Sequence, residues 1–319
     1  MHKILISGGA GFVGSHLCEK INNRYKKSKL IILDKLTYAG NKLFINDLIK
    51  KKNIIFVKGD ICDNKLMKKL LKDVDIAINV AAESHVDNSF NNSYSFTLTN
   101  TFGSHVFFEN CKFNKVKNIL HVSTDEVYGQ KISGTSFEDD KLLPTNPYSA
   151  SKAAAEMIAL SYNKSFKTDL TIIRSNNLYG TRQYPEKLIA KTILSFLKNK
   201  KMEIHGKGKQ IRHYLHIDDL TDGILMILKK KIKNQIINFG SYESYNNKEI
   251  VQKISNHMNI NFKKNIKFIK DRPFNDFRYK ISIKKAKSYG WKAKKKFDQN
   301  ISEIIEWYRN NQNIFKNIK

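Results

Sequence analysis

Short runs of β-branched and other apolar residues alternate with longer amphipathic stretches through the first half of the chain. The apolar runs cover residues 3–7, 30–34, 54–59, 76–80, 118–123 and 170–175. Such continuous apolar character is typical of strands buried on both faces of a parallel sheet. Stretches with helical periodicity lie between them, at 14–25, 64–71, 93–111 and 148–166. This alternation predicts right-handed β–α–β crossovers and an α/β fold with a doubly wound parallel sheet.

The alternation of predicted strands and helices becomes less regular after about residue 175. Helical patterns at 187–200, 218–230, 247–258 and 300–311 are separated by a short strand-like stretch at 202–217 and a strand at 235–240. We therefore expect a larger part made of residues 1–175 and about 213–239. A smaller α+β part would contain residues from about 176–212 and 240–319.

Lysine dominates the charge of the chain. Its 319 residues include 57 Lys+Arg against 29 Asp+Glu, which gives a formal net charge of +28. The lysines occur in short scattered runs, and no aromatic-interleaved basic stripe accompanies them. We interpret most of this charge as solvated surface and predict no nucleic-acid partner.

Cysteine usage and hydropathy bear on the compartment. The three cysteines, Cys18, Cys62 and Cys111, are odd in number and lack metal-ligand spacing. They are typical of reduced thiols in a cytoplasmic protein, and we predict no metal site. No apolar run approaches the roughly 20 residues that span a bilayer. The N-terminal apolar run reads as a strand and not as a signal peptide, so we predict no membrane association.

A glycine pattern follows the first predicted strand directly. "GGAGFVGSHL" places Gly8, Gly11 and Gly14 where a tight turn, a close backbone approach and helix–strand packing each favour glycine. The helix that begins there offers free N–H groups to a pyrophosphate. The second strand ends at Asp34, about 20 positions later, where a carboxylate binds ribose hydroxyls. The pattern predicts a Rossmann-type dinucleotide site that favours NAD, because Asp34 would repel the extra phosphate of NADP.

Two further clusters carry candidate chemistry. Tyr148 and Lys152 stand at i and i+4 on one helical face, where an ammonium would lower the pKa of the phenol. The same spacing at Tyr25/Lys29 and Tyr38/Lys42 shows that spacing alone proves nothing. The adjacent carboxylates in "HVSTDEVYGQ" end a buried strand, where they form either a solvated loop or an acid–base pair for one substrate.

Several motifs together resemble the nucleoside-diphosphate-glucose 4,6-dehydratases of the extended short-chain dehydrogenase/reductase superfamily. They are "GGAGFVGSHL", "AAESHVDNS", "STDEVYG", "YSASKAAAE", "TRQYPEKLI" and "DRPFNDFRY". The resemblance runs from residue 1 to about residue 307. It implies a hydro-lyase that retains NAD through each turnover and serves deoxysugar synthesis, such as that of rhamnose for surface polysaccharide.

The resemblance also implies a role for each catalytic side chain. Tyr148, assisted by Lys152 and Thr124, would remove the sugar C4 hydroxyl proton as hydride leaves C4. Glu126 would take the C5 proton as the base. Asp125, held protonated, would protonate the departing C6 hydroxyl, and hydride would return to C6.

Binding residues are implied in the same way. The cofactor set is Gly8, Gly11, Phe12, Val13, Gly14, Asp34, Lys35, Leu36, Thr37, Asp60, Ile61, Ala81, Ala82, Ser84, Thr99, Tyr148, Lys152 and Asn177. The substrate set is Ser84, Thr124, Asn176, Lys187, Leu188, Ile189, Arg212 and Arg272, with the two arginines expected on the diphosphate.

Two departures leave the nucleotide open between dTDP-glucose, which we favour, and UDP-glucose. The usual Gly-His-Asp of the dTDP enzymes is here Phe274–Asp276, and the "RSNNLYG" segment has one residue more than the bacterial form. Both departures look more like UDP-glucose 4,6-dehydratases.

Three other functions remain as alternatives. A UDP-sugar 4-epimerase or a UDP-glucuronate decarboxylase shares the glycines, Tyr and Lys, but does not need the Asp-Glu pair. A non-catalytic NAD-binding sensor could use the same fold.

The resemblance also implies a homodimer. The family is typically homodimeric through two helices, which correspond here to 93–111 and 148–166.

Overall fold

The computed structural model describes residues 2–271 and 274–315. The strands are β1 (Lys3–Ser7), β2 (Lys29–Asp34), β3 (Ile54–Lys58), β4 (Ile76–Asn79), β5 (Asn118–Val122), β6 (Leu170–Ser175), β7 (Asn177–Tyr179), β8 (Met202–His205), β9 (Ile211–His216), β10 (Ile236–Phe239), β11 (Ser244–Asn246) and β12 (Ile266–Ile269). The helices are α1 (Phe12–Arg24), α2 (Asn46–Ile49), α3 (Asn64–Leu70), α4 (Val86–Asn91), α5 (Ser93–Phe96), α6 (Ser104–Phe113), α7 (Pro147–Phe166), α8 (Leu188–Leu197), α9 (Ile217–Lys230), α10 (Asn247–His257), α11 (Lys284–Ser288) and α12 (Phe297–Asn310).

A parallel sheet forms the centre of the larger part. Within the described ranges it has seven strands in the order β10-β6-β5-β4-β1-β2-β3. β1 pairs with β2 and β4, so that Ile4 lies opposite both Leu30 and Ile76. The order reverses between β1 and β4, and ligands of such sheets bind outside the strand ends at this reversal. The predicted doubly wound α/β fold is confirmed.

Helices cover both faces of this sheet, which is why its strands are apolar throughout. On one face, α1 and α9 pack Leu17 and Ile224 against the strands. On the other face, α6 and α7 contribute Phe107 and Ala159 to a separate apolar cluster. Because the strands are parallel, their carboxyl ends lie along one edge of this layered core.

The smaller part has its own sheets and its own apolar cluster. β7 pairs with β9 and β9 with β11, while β8 pairs with β12. Ile193 of α8, Ile254 of α10 and Ile301 of α12 pack into one cluster. β10 returns to the main sheet beside β6. The division at 1–175 with 213–239 and 176–212 with 240–319 stays a prediction.

The helix predicted at 93–111 differs in detail. A π-helical turn, Thr97–Gly103, interrupts it between α5 and α6. The turn places the Asn100 side chain on the chain after β4. Its amide donates to Glu83 O at 3.0 Å and accepts from the Glu83 N–H at 2.8 Å. The interruption therefore anchors the loop that follows β4.

None of the helices in the described ranges is long and apolar enough to cross a membrane.

Candidate active site

The glycine turn after β1 fits a dinucleotide pyrophosphate. Gly8 has a φ of +71°, and a Cβ there would lie 2.7 Å from the backbone of Ala81. A Cβ on Gly14 would lie 2.0 Å from the carbonyl oxygen of Gly8, so only glycine allows this turn to close. Gly11 is the N-cap residue of α1 and has no side chain to bond the first N–H groups of the helix. The first N–H groups of α1 are thus directed toward the space where a phosphate binds.

Asp34 ends β2 with an ordered carboxylate. Its Oδ2 accepts from the Ala10 N–H at 2.9 Å, and its Oδ1 accepts from the Leu36 N–H at 2.7 Å. Burial raises the pKa of Asp34, while these backbone donors oppose the rise. Each carboxylate oxygen has a second lone pair available for a ribose hydroxyl. The donor set therefore fits the adenosine end of NAD.

A narrow cleft of ≈ 180 Å³ joins these features. Most of the predicted cofactor residues line it: Gly8, Gly11, Phe12, Val13, Gly14, Asp34, Lys35, Thr37, Asp60, Ile61, Ala81, Ala82, Ser84 and Thr99. Lys35 Nζ pairs with Asp60 Oδ2 at 2.7 Å across its mouth. Leu36 lies outside the lining, because its side chain packs against the main apolar cluster.

A larger cleft of ≈ 600 Å³ adjoins the first. Tyr148, Lys152 and Asn177 of the cofactor set line it. Predicted substrate residues also line it: Ser84, Thr124, Asn176, Lys187, Leu188, Ile189 and Arg212. Arg272 lies outside the described residues. The sequence motifs therefore converge on one region of the molecule.

Helix α7 begins at the floor of the larger cleft. Asn146 caps it, with its side chain accepting from the Ser149 N–H at 2.9 Å, and Pro147 occupies the first turn. The cap fixes the first turn, so Tyr148 and Lys152 both face the cleft. Lys152 Nζ donates to Val122 O at the end of β5, at 2.7 Å. Burial lowers the pKa of Lys152 to about 8, although Glu156 opposes this.

The pKa of Tyr148 is raised in this geometry, whereas the spacing with Lys152 led us to expect a lowered one. Burial of the phenol dominates and raises its pKa, and the negative charge of Glu126 adds to the rise. A hydrogen bond with Thr124 opposes it. The ammonium of Lys152 donates to Val122 O.

The adjacent carboxylates have different surroundings. Asp125 and Glu126 lie in a 3₁₀ turn, Asp125–Tyr128, directly after β5. Asp125 is 2% exposed, and its Oδ2 accepts from Asn176 Nδ2 at 2.7 Å. Burial raises the pKa of Asp125 to about 7. Glu126 lines the cleft. Burial raises its pKa as well, and Lys187 and Arg212 oppose the rise.

Cations border the larger cleft on the side of the smaller part. Lys187 Nζ donates to Ser84 O at 2.6 Å. The Arg212 guanidinium lies 4.8 Å from the ring centre of Tyr279 and donates to Ile211 O at 2.9 Å. Both side chains line the cleft and are held in place by these contacts. They fit a substrate that carries a diphosphate.

The structure also adds residues that sequence reasoning missed. Asn146, Glu186, His85, Asp276 and Tyr279 line the larger cleft. Each lies within or beside a motif already quoted, so proximity to a motif was an available signal. Asn146 was the easiest to find, because Asn before Pro at a helix start predicts an N-cap.

Known proteins share both this sequence and this fold. Residues 5–304 match the family described as GDP-mannose 4,6 dehydratase. The dTDP-D-glucose 4,6-dehydratase of Dictyostelium discoideum is 40% identical over 364 residues, covering 100% of this chain and 84% of that protein. The trifunctional UDP-glucose 4,6-dehydratase/UDP-4-keto-6-deoxy-D-glucose 3,5-epimerase/UDP-4-keto-L-rhamnose-reductase RHM3 of Arabidopsis thaliana is 39% identical, covering 97% of this chain and 47% of that protein.

A solved structure gives the same result. DesIV, the dTDP-glucose 4,6-dehydratase of Streptomyces venezuelae with NAD and TYD bound, superposes with a TM-score of 0.96 at 32% identity, covering 99% of this chain and 100% of that chain. The predicted resemblance to nucleotide-sugar 4,6-dehydratases is therefore confirmed. The chain belongs to the GDP-mannose 4,6 dehydratase family.

Proposed function

We propose that the protein is an NAD-dependent nucleotide-sugar 4,6-dehydratase that converts dTDP-glucose to dTDP-4-keto-6-deoxyglucose and water. The observation that carries the proposal is the Asp125–Tyr128 turn at the end of β5, because Glu126 lines the same cleft as Tyr148 and Lys152. An elimination needs an acid and a base beside the redox centre. A 4-epimerase, a decarboxylase or a sensor needs no such pair.

The residues of the narrow cleft would hold the cofactor. Gly8, Gly11 and the start of α1 leave room and donors for the pyrophosphate, and Asp34 would accept from the adenosine ribose. When bound there, NAD would supply a hydride acceptor for sugar C4, a hydride donor for C6 and a positive charge that favours the phenolate of Tyr148. Lys152 would orient the cofactor ribose from the floor of the larger cleft.

The protein side chains move the protons. Tyr148 Oη takes the C4 hydroxyl proton, aided by its hydrogen bond with Thr124. Glu126 would take the C5 proton, which the 4-keto group has made acidic, and would return it to C5 when hydride reaches C6. Asp125, whose pKa burial raises to about 7, would give a proton to the C6 hydroxyl from its position beside Thr124 in the cleft wall. In this proposal Asp125 acts in its protonated form and Glu126 in its ionised form, as a paired acid and base require.

UDP-glucose is the second candidate substrate. The Arabidopsis relative named for it is 39% identical, nearly the same as the Dictyostelium relative named for dTDP-glucose at 40%. The Phe274–Asp276 segment, whose sequence resembles that of the UDP-glucose enzymes, supports it too. All three of its residues line the larger cleft.

The experiment is mass spectrometry of the purified protein with dTDP-glucose and, separately, with UDP-glucose. No cofactor is added in the first run, and NAD is added in the second. Loss of one water without net NADH supports the proposal, and the faster substrate identifies the nucleotide. Conversion of UDP-glucose to UDP-galactose would replace it with the epimerase. Unchanged sugars in both runs would favour the sensor.

A homodimer through α5–α6 and α7 is part of the proposal. The apolar side chains exposed along these helices support it: Tyr94 75%, Phe102 49%, Met157 50% and Phe166 53%. Light scattering should give twice the chain mass, and Met157→Glu should give the monomer mass.

A cytoplasmic location stays a prediction from the cysteine pattern.

A further inference from the structure

Asp276 is a buried carboxylate in the wall of the larger cleft, and the proposed mechanism does not use it. It is 3% exposed, and its Oδ2 accepts from Thr145 Oγ1 at 2.7 Å and from the hydroxyl of Tyr279. Its Oδ1 is also buried and has no hydrogen-bond partner among the described residues. A buried carboxylate oxygen in this state costs free energy. Stabilisation of the fold therefore does not by itself explain an acid at this position.

Thr145 attaches this carboxylate to the start of α7. It directly precedes Asn146, the N-cap of the helix, whose side chain accepts from the Ser149 N–H at 2.9 Å. The Asn146 amide also donates to Glu126 Oε2 at 3.4 Å. Asp276 is thus anchored to the same short segment that contacts Glu126, the proposed base.

Tyr279 connects the carboxylate to a cation on the substrate side of the cleft. Tyr279 is 3% exposed, and its ring centre lies 4.8 Å from the Arg212 guanidinium. Arg212 also donates to both neighbours of Asp276, at 3.3 Å to Phe277 O and at 3.5 Å to Asn275 Oδ1. A cation is attracted by the face of an aromatic ring, so the orientation of the ring matters. The hydroxyl bond to Asp276 fixes that orientation.

Glu126 responds to the charges of both Asp276 and Arg212. Burial raises the pKa of Glu126, Lys187 and Arg212 oppose the rise, and Asp276 adds to it. Charged and titratable groups face Glu126 from several elements: Asp125, Tyr148, Lys187, Arg212, Asp276 and Tyr279. The charge of Asp276 and the cation that it helps to place therefore act on this base in opposite directions.

We propose that Asp276 is a positioning residue that holds Tyr279 against the Arg212 guanidinium and so fixes this cation relative to Glu126. The inference rests on the proposed function, in which Arg212 binds the diphosphate and Glu126 is the base. Asp276 would act through its acceptor oxygen on the seating of the substrate and through its charge on the base. Different substitutions separate these two effects.

Titration calorimetry with the sugar nucleotide measures the effect of the acceptor oxygen. Asp276→Asn keeps an oxygen for Thr145 and Tyr279, whereas Asp276→Ala removes it. We expect Asp276→Ala to bind about 2- to 30-fold more weakly than wild type, the range for a cation–π contact, and Asp276→Asn to restore most of the affinity. Tyr279→Leu removes the ring itself and should lose as much as Asp276→Ala.

The pH profile of kcat/KM measures the effect on the base. Glu126 must be ionised to take the C5 proton, so its pKa defines an acid limb of the profile. Asp276→Asn removes a negative charge and thereby lowers the pKa of Glu126, so its acid limb should move to lower pH. Tyr279→Leu loosens Arg212, so its acid limb should move to higher pH. A role in the stability of the fold alone would move neither limb.

Asp47→Ala is the surface control. The side chain of Asp47 is 94% exposed on α2, so this variant should change neither the affinity nor the profile. The inference is refuted if folded Asp276→Ala binds the sugar nucleotide as tightly as wild type, or if the acid limb of Asp276→Asn coincides with that of wild type. If Asp276→Ala does not fold, the opposite shifts of Asp276→Asn and Tyr279→Leu decide the question.

A separate titration distinguishes this inference from the proposed function. If wild type converts neither dTDP-glucose nor UDP-glucose, the proposed function fails, and calorimetry with UDP replaces the turnover assay. Weaker UDP binding by Asp276→Ala than by Asp276→Asn would still support the positioning of Arg212. Equal UDP binding by the two variants, or none by wild type, would refute it.

Discussion

Arg174 joins the Asp125–Tyr128 turn to helix α7 through buried contacts. It is 2% exposed, and its Nε and Nη2 donate to the Glu156 carboxylate of α7 at 3.0 and 2.6 Å. Its Nη1 donates at 2.6 Å to the hydroxyl of Tyr128, which ends the turn carrying Asp125. Glu156 is fully buried and lies one helical turn beyond Lys152, whose pKa it raises. This pair therefore links the turn that carries Asp125 and Glu126 to the helix that carries Tyr148 and Lys152.

Replacing Arg174 alone should be severe. Arg174→Met leaves the buried Glu156 carboxylate without its two charged donors, and breaking such a pair costs about 3–5 kcal/mol. Glu156→Gln should cost a similar amount, because it leaves a buried guanidinium uncompensated. The double variant Arg174→Met/Glu156→Leu removes both charges, and we expect it to lose less than either single variant. The surface control Arg309→Met removes a pair that is 52% exposed on both sides and should cost at most about 1 kcal/mol.

Equilibrium urea unfolding followed by circular dichroism measures these free energies of unfolding. The comparison is valid where the slope with denaturant stays unchanged between variants. The reasoning is refuted if Arg174→Met loses no more stability than Arg309→Met. It is equally refuted if the double variant loses the sum of the two single losses, since independent sites would then explain the data.

Three further predictions follow from the active site. Because burial raises the pKa of Asp125 from 3.8 to about 7, its ionisation destabilises the fold progressively as pH rises between these values. Asp125→Asn should therefore gain on the order of 4 kcal/mol at most in free energy of unfolding above pH 7 and nothing below pH 4, as measured by urea unfolding. The same variant should lose the elimination activity. Gly14→Ala should fail to fold, because its Cβ would meet Gly8 O at 2.0 Å, whereas Gly11→Ala, with 3.4 Å to the same atom, should fold and lose NAD affinity in calorimetry. If turnover needs the Lys152 ammonium, the rate should fall as pH rises through about 8, and a profile that stays flat to pH 10 would contradict that role.

The sequence predicted the elements of the main sheet closely. Its strands are buried on both faces, so their apolar runs were continuous and easy to delimit. The glycine pattern also needed no tertiary information, since the turn at Gly8 and the contact at Gly14 are local. The side chain of Leu36 packs against the core, and its role at the cofactor stays a prediction.

The pKa shifts of the site residues could not be predicted from the sequence, because burial depends on the whole fold. The spacing of Tyr148 and Lys152 suggested that the ammonium lowers the phenol pKa. In the structure, Lys152 is held by Val122 O, and burial raises the pKa of Tyr148. Likewise, adjacency could not show that Asp125 is buried against Asn176 while Glu126 lines the cleft.

The sequence by itself determined the doubly wound sheet, the dinucleotide turn and the identity of the acid–base candidates. Hydrophobic periodicity and glycine spacing are properties of neighbouring residues, so a single chain records them. Only the tertiary structure brought Glu186 and His85 within 3.9 Å, 101 residues apart in sequence, and joined Arg174 to Glu156. Those contacts depend on how distant segments pack, and the cost of leaving a buried polar atom unpaired arises only once packing has excluded water.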